Sequence, residues 1–539
     1  PRVGSGRQAG SNAACARYRR TDKARKLLIP KIPMTFGIPD KVTDKSLSNP
    51  VYGPLFEEDV PIVTDPGFNN FVASVEKRIN YVDHRSFHPD LLDAAQELCH
   101  QKIRDQLPLI EWTKELFDAW NDLNPPPKQK RMLAAVELFS SFTIQEYSRK
   151  SVFTKVEALL KRHKEGKGRF DDWAGRIVND STDLHNAISG PILSECLRRL
   201  DLSLRLENQH GPVKMGLAYK KSTTAIAKKL GAVKPEMVIE CDFSENDMRQ
   251  CKKVIDVETL WLRRLGAPQW LCDIMSKANS YNVVNRPHNF KSRVKYQLPS
   301  GSTSTTFRNS VWNMSIFHSW ARRVNAHGAA FFLGDDMIAT ISSSSCRKDR
   351  AGLRFARRLY ERQARWARMS AKVKVHRYLM EAEFLSKVFI PSSEQFYLVP
   401  KFGRVFAKLN IRATRNDSIS DDEYVAGKLL SVAWEYRFLD DVANILFERL
   451  NSLDVDYLKL PAELFSYSAK QVILDGGVMS VCKQIASAPS IDYWEMDHFC
   501  LARYGEHYSD LLELVNSVVN GTADIPLVRY LPYARADFW

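Results

Sequence analysis

Ala329-Ala330-Phe331-Phe332-Leu333-Gly334-Asp335-Asp336-Met337-Ile338-Ala339-Thr340-Ile341 is an apolar run that meets Gly-Asp-Asp and then resumes. The pattern predicts a hairpin: strand, tight acidic turn, strand. Two adjacent carboxylates flanked by hydrophobic strands repel each other and lose hydration, so holding them there calls for a cation. Taken alone, Gly-Asp-Asp is also an ordinary turn sequence. Its meaning depends on what the rest of the chain brings to it.

Upstream, Met237-Val238-Ile239-Glu240-Cys241 reads as a short buried strand running into Asp242, with Asp247 past the following turn. Two-metal phosphoryl transfer needs carboxylates from at least two backbone segments. Adjacent strands ending in Asp242 and Asp335 would supply them. Between the two lies Ser300-Gly301-Ser302-Thr303-Ser304-Thr305-Thr306-Phe307-Arg308-Asn309, continuing through Ser310 to Asn313. Ser-Gly suits an adaptable loop that approaches another backbone closely. Thr305, Asn309 and Asn313 form a polar stripe on a predicted helix over 305–323 that is otherwise bulky and apolar.

Further out, helical periodicity predicts helices near 91–98, 131–138 and 184–200. Val152 to Glu157 and Gly175 to Val178 read as short strands, separated by a basic polar loop that includes Lys161, Arg162, Lys164, Lys167 and Arg169. Residues 350–369 read as a basic helix, and Phe384 to Val399 as a second hairpin around Pro391-Ser392-Ser393. From N-cap Ser420 onward the chain reads as mostly helical.

The chain has 539 residues, 44% hydrophobic and 26% charged, which is ordinary globular composition and excludes collagen, coiled coil and wholesale disorder. No apolar run is long enough to span a bilayer as a helix. Lysine and arginine number 78 against 63 acidic residues, a net charge of +15, which favours a polyanionic partner, nucleic acid first and an anionic membrane surface second. Residues 1–33 form a basic leader, read as a flexible arm or one that touches RNA or membrane. The chain opens Pro1-Arg2-Val3 and carries no signal pattern, as a trimmed product would. Nine scattered cysteines without a CxxC pair argue against zinc and a disulfide framework and suit a reducing cytosol.

Asp242-Phe243-Ser244-Glu245-Asn246-Asp247, Ser300 through Asn309, and Gly334-Asp335-Asp336 resemble, in order, motifs A, B and C of the RNA-dependent RNA polymerases of positive-strand RNA viruses. The wording around them is similar to the hepatitis E-like and alphavirus-like branch. The Phe153-Thr154-Lys155-Val156-Glu157 and Gly175-Arg176-Ile177 stretches are closer to nodavirus- and tombusvirus-like enzymes, which leaves the branch open. One departure is Asn246, where many relatives carry an aromatic.

The resemblance implies an α+β right hand: fingers, an RRM-like palm built on an antiparallel sheet with helices, and a helical thumb. Its segments would be an N-terminal extension with fingers at 34–236, palm with motif A at 237–260, a fingers insertion at 261–297, palm with motifs B to E at 298–395, and thumb at 396–539. It also implies two Mg²⁺ ions, with Mn²⁺ as substitute, held by Asp242 and Asp335 with Asp336 beside them.

By the same resemblance Asp247, Ser300, Gly301, Thr305 and Asn309 serve the ribose and nucleotide, and Lys155 and Arg176 line the triphosphate entrance as motif F. Lys374 is the motif D general acid, with Lys372 its rival, and Phe384 to Phe389 is motif E. Arg354, Arg358, Arg362 and Arg365 share one helical face and would support RNA phosphates. The implied partners are template and product RNA, ribonucleoside triphosphates and other viral replication proteins, at replication complexes in the host cytoplasm, with membrane contact only indirect. Two rivals stand beside this reading: a reverse transcriptase-like polymerase and a non-catalytic basic RNA-binding scaffold.

Overall fold

Strands Ala326–Leu333 and Asp336–Ser343 pair antiparallel with Leu333 opposite Asp336, so Gly334-Asp335 is a two-residue turn. Gly334 has φ +62°, the glycine-first geometry that short hairpins favour. The computed structural model describes residues 31–36, 51–56, 62–63, 67–82, 87–159, 175–205, 211–232, 236–346, 349–412 and 418–538. The leader up to residue 30 and the basic loop at 161–169 lie outside the described residues.

The hairpin is the middle of a five-stranded sheet. Its order is Ser370–His376, Met237–Ser244, Asp336–Ser343, Ala326–Leu333 and Val213–Leu217. All neighbours are antiparallel except the last pair, which is parallel. The edge strand Val213–Leu217 comes from the segment assigned by sequence to the fingers.

Alternation sorts this sheet into two faces. Ile239, Cys241, Phe243, Met337 and Ala339 enter the main core, against helices that include Pro89–Lys102, Lys252–Arg264, Thr305–Arg323 and Arg350–Trp366. Val238, Phe331 and Ile338 face the other way into a smaller core with helix Thr223–Gly231 and the three-stranded sheet Glu383–Phe384, Lys387–Pro391 and Phe396–Pro400.

The helix Thr305–Arg323 has the predicted bounds and is buried from Phe307 through Ala321. A helix buried on all sides must satisfy its polar residues internally. Arg308 therefore pairs with Glu258 at 2.7 Å, both side chains almost fully enclosed.

A second five-stranded sheet has the order Met34–Phe36, Phe290–Lys295, Ser280–Asn285, Lys150–Thr154 and Ile177–Ser181. It joins stretches far apart in sequence. Beyond Pro400 the described residues are mainly helical and share a second large core with Phe56 and with Val388, Ile390, Tyr397 and Val399 of the three-stranded sheet. Helix Asp421–Glu435 starts at N-cap Ser420 with the capping box that the sequence indicates. Among the described residues no helix is long and apolar enough to cross a membrane. The eight described cysteines are free, seven of them buried.

Candidate active site

Asp242 lies near the end of its strand, and the register between Met337 and Cys241 carries on to set Asp336 opposite it. On the other side Lys372 is opposite Asp242, with its Nζ 3.8 Å from Asp242 Oδ2. Opposed residues point to the same face, so Lys372, Asp242 and Asp336 form one row across three strands. Asp335 occupies the turn beside them. Asp242 is 52% exposed, whereas its neighbour Cys241 is buried in the core below.

The turn is held from the buried helix. Ser310 Oγ accepts from Gly334 N at 2.8 Å, and Asn313 Nδ2 donates to Asp335 O at 3.0 Å. Asn313 of the polar stripe, with its neighbour Ser310, thus positions the acidic turn.

Burial pushes the Asp335 carboxyl up to about 6, with Asp242 and Asp247 adding repulsion. Burial likewise raises Asp336 to about 7, aided by Asp335 and Asp242. Desolvation and like charge act in one direction here, and the proteinaceous surroundings do not cancel them.

After Ser244 the chain turns sharply because Glu245 adopts φ +60°, an uncommon conformation for a residue with a Cβ. The turn leads into Asn246–Arg249 and aims Asp247 at the buried helix. Asn309 Nδ2 lies 3.4 Å from Asp247 Oδ1. Burial raises the Asp247 pKa, while Asn309, Arg78, Arg308 and Arg176 oppose the rise.

The loop at 300–305 docks on the second sheet. Asn179 N donates to Ser300 Oγ at 3.1 Å, and Gly301 N donates to Asn179 O at 3.0 Å. A Cβ at Gly301 would come within 2.7 Å of that carbonyl oxygen, so the close approach requires glycine. Thr305 Oγ1 donates to Ser302 O at 2.8 Å, closing the loop onto the helix start. Ser300, Gly301 and Thr305 are therefore engaged in shaping this loop, with Ser300 also lining the adjoining cavity.

That cavity measures about 270 Å³ and is lined by Arg78, Lys155, Arg176, Asp247 and Ser300 among others. Arg176 grips Glu157 through two nitrogens, at 2.6 and 2.5 Å, and Lys155 Nζ is 3.6 Å from the same carboxylate. The Glu157 bond, and the charges of Asp335 and Asp247, keep the Arg176 pKa above its ordinary value. Arg78 escaped the sequence reading. It closes helix Phe68–Arg78, far from every motif, and no local pattern marks it.

Lys374 is placed one row below Lys372. It sits 2.9 Å from Glu240 and 3.5 Å from Glu383, and although burial opposes its charge, these acids raise its pKa. Arg354, Arg358, Arg362 and Arg365 are exposed. Their helix covers the Cys241 side of the sheet, the face opposite Asp242. The structure does not bring these arginines to the carboxylates. Among the described residues no group of three or more His, Cys, Asp or Glu side chains forms a ready-made metal cage.

Comparison with known proteins accords with this geometry. The chain is similar to part of the non-structural polyprotein pORF1 of avian hepatitis E virus, 30% identical over 117 residues, which is 22% of this chain and 8% of that polyprotein. The corresponding polyprotein of hepatitis E virus genotype 1 (isolate Human/Burma) is 32% identical over 120 residues, 22% of this chain and 7% of the relative. That of genotype 3 (isolate Swine/United States/swUS1) is 31% identical over 141 residues, 26% of this chain and 8% of the relative. The matches thus span under a tenth of the length of these curated relatives. These relatives fall in the hepatitis E-like branch, one of the two that the motif wording suggested. The family described as RNA dependent RNA polymerase matches residues 178–467, more than half of the chain and inclusive of the acidic hairpin, its neighbouring strand and the buried helix; the chain belongs to the viral RNA-dependent RNA polymerase family.

Proposed function

We propose that this chain replicates viral RNA by joining ribonucleoside triphosphates 5′ to 3′ on an RNA template, releasing pyrophosphate. The observation that carries the reading is the row Lys372, Asp242, Asp336, with Asp335 at the turn, beside a cavity lined by Arg78, Lys155 and Arg176. Carboxylates that repel one another across from clustered cations suit a substrate that is itself a metal-bound polyphosphate.

The donor set fits a hard divalent cation. All its ligating atoms are carboxylate oxygens, and burial with mutual repulsion raises the Asp335 and Asp336 pKa values, a cost that a bound cation would relieve. Mg²⁺ binds through one or two carboxylates and completes its shell with water and substrate phosphate, so a closed protein cage is not required. Asp242 and Asp335 would hold two Mg²⁺ ions, or Mn²⁺ in their place, with Asp336 beside them. Bound there, the ions supply activation of a primer hydroxyl and neutralisation of the triphosphate.

The protein's own groups do the rest. Arg78, Lys155 and Arg176 bind phosphate, and Glu157 holds the last two in position. Asp247 and Asn309 read the ribose 2′-hydroxyl, which can both donate and accept. Lys372 stands next to Asp242 and is better set than Lys374 to give a proton to pyrophosphate, because Lys374 is engaged by Glu240 and Glu383.

In this reading the sheet containing Asp242 is the palm, the sheet containing Arg176 belongs to the fingers, and the helices beyond Pro400 are the thumb. Template and product RNA, nucleotides and other viral replication proteins are the partners, and cytoplasmic replication complexes the setting.

Primer extension on an RNA template, with Mg²⁺ and either ribo- or deoxynucleotides, tests the proposal. Wild type should extend with ribonucleotides, and Asp335→Asn should not, while both bind RNA. Preferential use of deoxynucleotides would favour a reverse transcriptase. RNA binding without incorporation by the wild type would favour a scaffold.

A further inference from the structure

Gln250 lies three residues past Asp247, at the C-terminal end of the short helix Asn246–Arg249, and its side chain is buried. Its Nε2 donates to Asn309 Oδ1 at 3.1 Å and to Asn246 Oδ1 at 3.0 Å. One amide nitrogen thus spends both hydrogens on two acceptors. The contact with Asn309 determines which way the Asn309 amide faces. Its oxygen is turned to Gln250, so its nitrogen is turned to Asp247, at 3.4 Å. The reverse orientation would set the Asn309 oxygen against the Asp247 carboxylate and its NH₂ against the Gln250 NH₂, which is unfavourable on both sides.

Asn246 completes the arrangement. An aromatic at this position could not accept from Gln250, whereas the asparagine does and is itself buried. Gln250 Oε1 and Asn246 Nδ2 remain buried without a hydrogen-bond partner. The arrangement therefore does not maximise hydrogen bonds for its own members; what it secures is the Gln250 amide nitrogen, held by Asn246 and donating to Asn309.

We propose that Gln250 is a positioning residue for sugar selection: it fixes the Asn309 amide so that an N–H is presented to the 2′-oxygen of an incoming ribonucleotide. The inference rests on the reading of Asp247 and Asn309 as ribose readers. Gln250 itself touches no substrate. Its loss therefore acts on ribonucleotides through Asn309 and leaves deoxynucleotides, which have no 2′-oxygen to contact, nearly untouched.

The test measures kcat/KM for a ribo- and a matching deoxynucleoside triphosphate in wild type, Gln250→Met, Gln250→Glu, Asn309→Ala and Gln250→Met/Asn309→Ala, with melting temperatures alongside. Gln250→Met keeps the volume and removes the donor. It should lower ribonucleotide efficiency about tenfold, chiefly through KM, with deoxynucleotide efficiency within about twofold. Gln250→Glu presents only acceptors while ionised, inviting the Asn309 amide to flip, and should lose more selectivity than Gln250→Met.

The double variant should be no less selective than Asn309→Ala, since Gln250 has nothing left to position. Equal losses for both sugars in Gln250→Met, or a further selectivity loss in the double variant, would overturn the proposal and leave Gln250 a packing residue. If Gln250→Met melts far below the wild type, Gln250→Glu still decides through the ratio of the two sugars. If Asn309→Ala leaves that ratio unchanged, the ribose reading itself fails and takes this inference with it. If Asn309→Ala lowers it and neither Gln250 variant does, only the inference fails.

Discussion

Glu240 and Asp242 stand two residues apart on one face of one strand, and their surroundings could hardly differ more. Glu240 is almost buried, with Lys374 Nζ at 2.9 Å, His376 Nε2 at 3.3 Å and the Glu383 backbone N–H donating at 2.6 Å. Burial opposes its ionisation, but His376 and Lys374 outweigh that and hold its pKa below the ordinary value. The matched charges continue outward. Glu383 meets Lys401 and Arg503, and Arg503 meets Asp537, which also accepts from Gly403 N at 2.7 Å. This network ties the central sheet to the last helix of the chain.

One row higher, Asp242 has Lys372 Nζ at 3.8 Å, while burial and mutual repulsion raise the pKa values of Asp335 and Asp336 against the opposing charges of Arg78 and Arg404. The lower row spends its charge on cohesion. The upper row leaves its like charges only partly balanced, which destabilises the free protein; in the function proposed above, this is the charge that a cation and a polyphosphate would meet.

The sharpest way to break this comparison is Asp335→Asn. Nucleotide incorporation should fall by about 10³-fold or more, as expected for loss of a charge ligand in the transition state, and the melting temperature at neutral pH should not fall. A large loss of stability would place Asp335 with the matched acids. Arg503→Met should do the opposite. It strands Glu383 and the buried Asp537, so a cost of about 3–5 kcal/mol in denaturant unfolding is expected.

Opposite pH responses sharpen the contrast. Asp335 and Asp336 have folded-state values above those of the unfolded chain, so the folded state binds more protons, and their contribution to stability declines as pH rises from about 4 to about 7. Glu383 is held down at about 2 despite burial, by Lys401 and Arg503. Its contribution is present above about pH 4.5 and is lost as pH falls toward 2. In metal-free buffer at pH 8, Asp336→Asn should therefore raise unfolding stability by about 1–3 kcal/mol, and the gain should vanish near pH 4. Divalent cation should shrink the gain by stabilising the wild type.

The smallest effect separates two lysines on one strand. Lys372→Gln should slow single-turnover incorporation by about tenfold with little change in melting temperature. Lys374→Gln should lower the melting temperature and leave the rate within about threefold. The reverse pattern would return the proton-donor role to Lys374.

Residue types and their order along the chain determined the acidic hairpin, the buried helix with its bounds at 305 and 323, and the Ser420 cap. Each of these rests on local physics. Apolar runs of strand length, turn residues, helical periodicity and capping preferences act within about ten residues, so a linear reading captures them.

Tertiary structure alone decided which charges meet. Arg78 reaches the cavity from a helix without a motif. Val213–Leu217 joins the sheet in parallel, from a stretch that carries no sign of its partner. Register, and not composition, sets Lys372 beside Asp242 and Lys374 beside Glu240, and a slip of two residues would bring Lys374 opposite Asp242 and His376 opposite Glu240. The arginine stripe was legible as a stripe, but its distance from the carboxylates depends on which face of the sheet its helix covers. Electrostatic partners here come from positions far apart in sequence. Their energies depend on burial and spacing, which exist only once the chain has closed on itself.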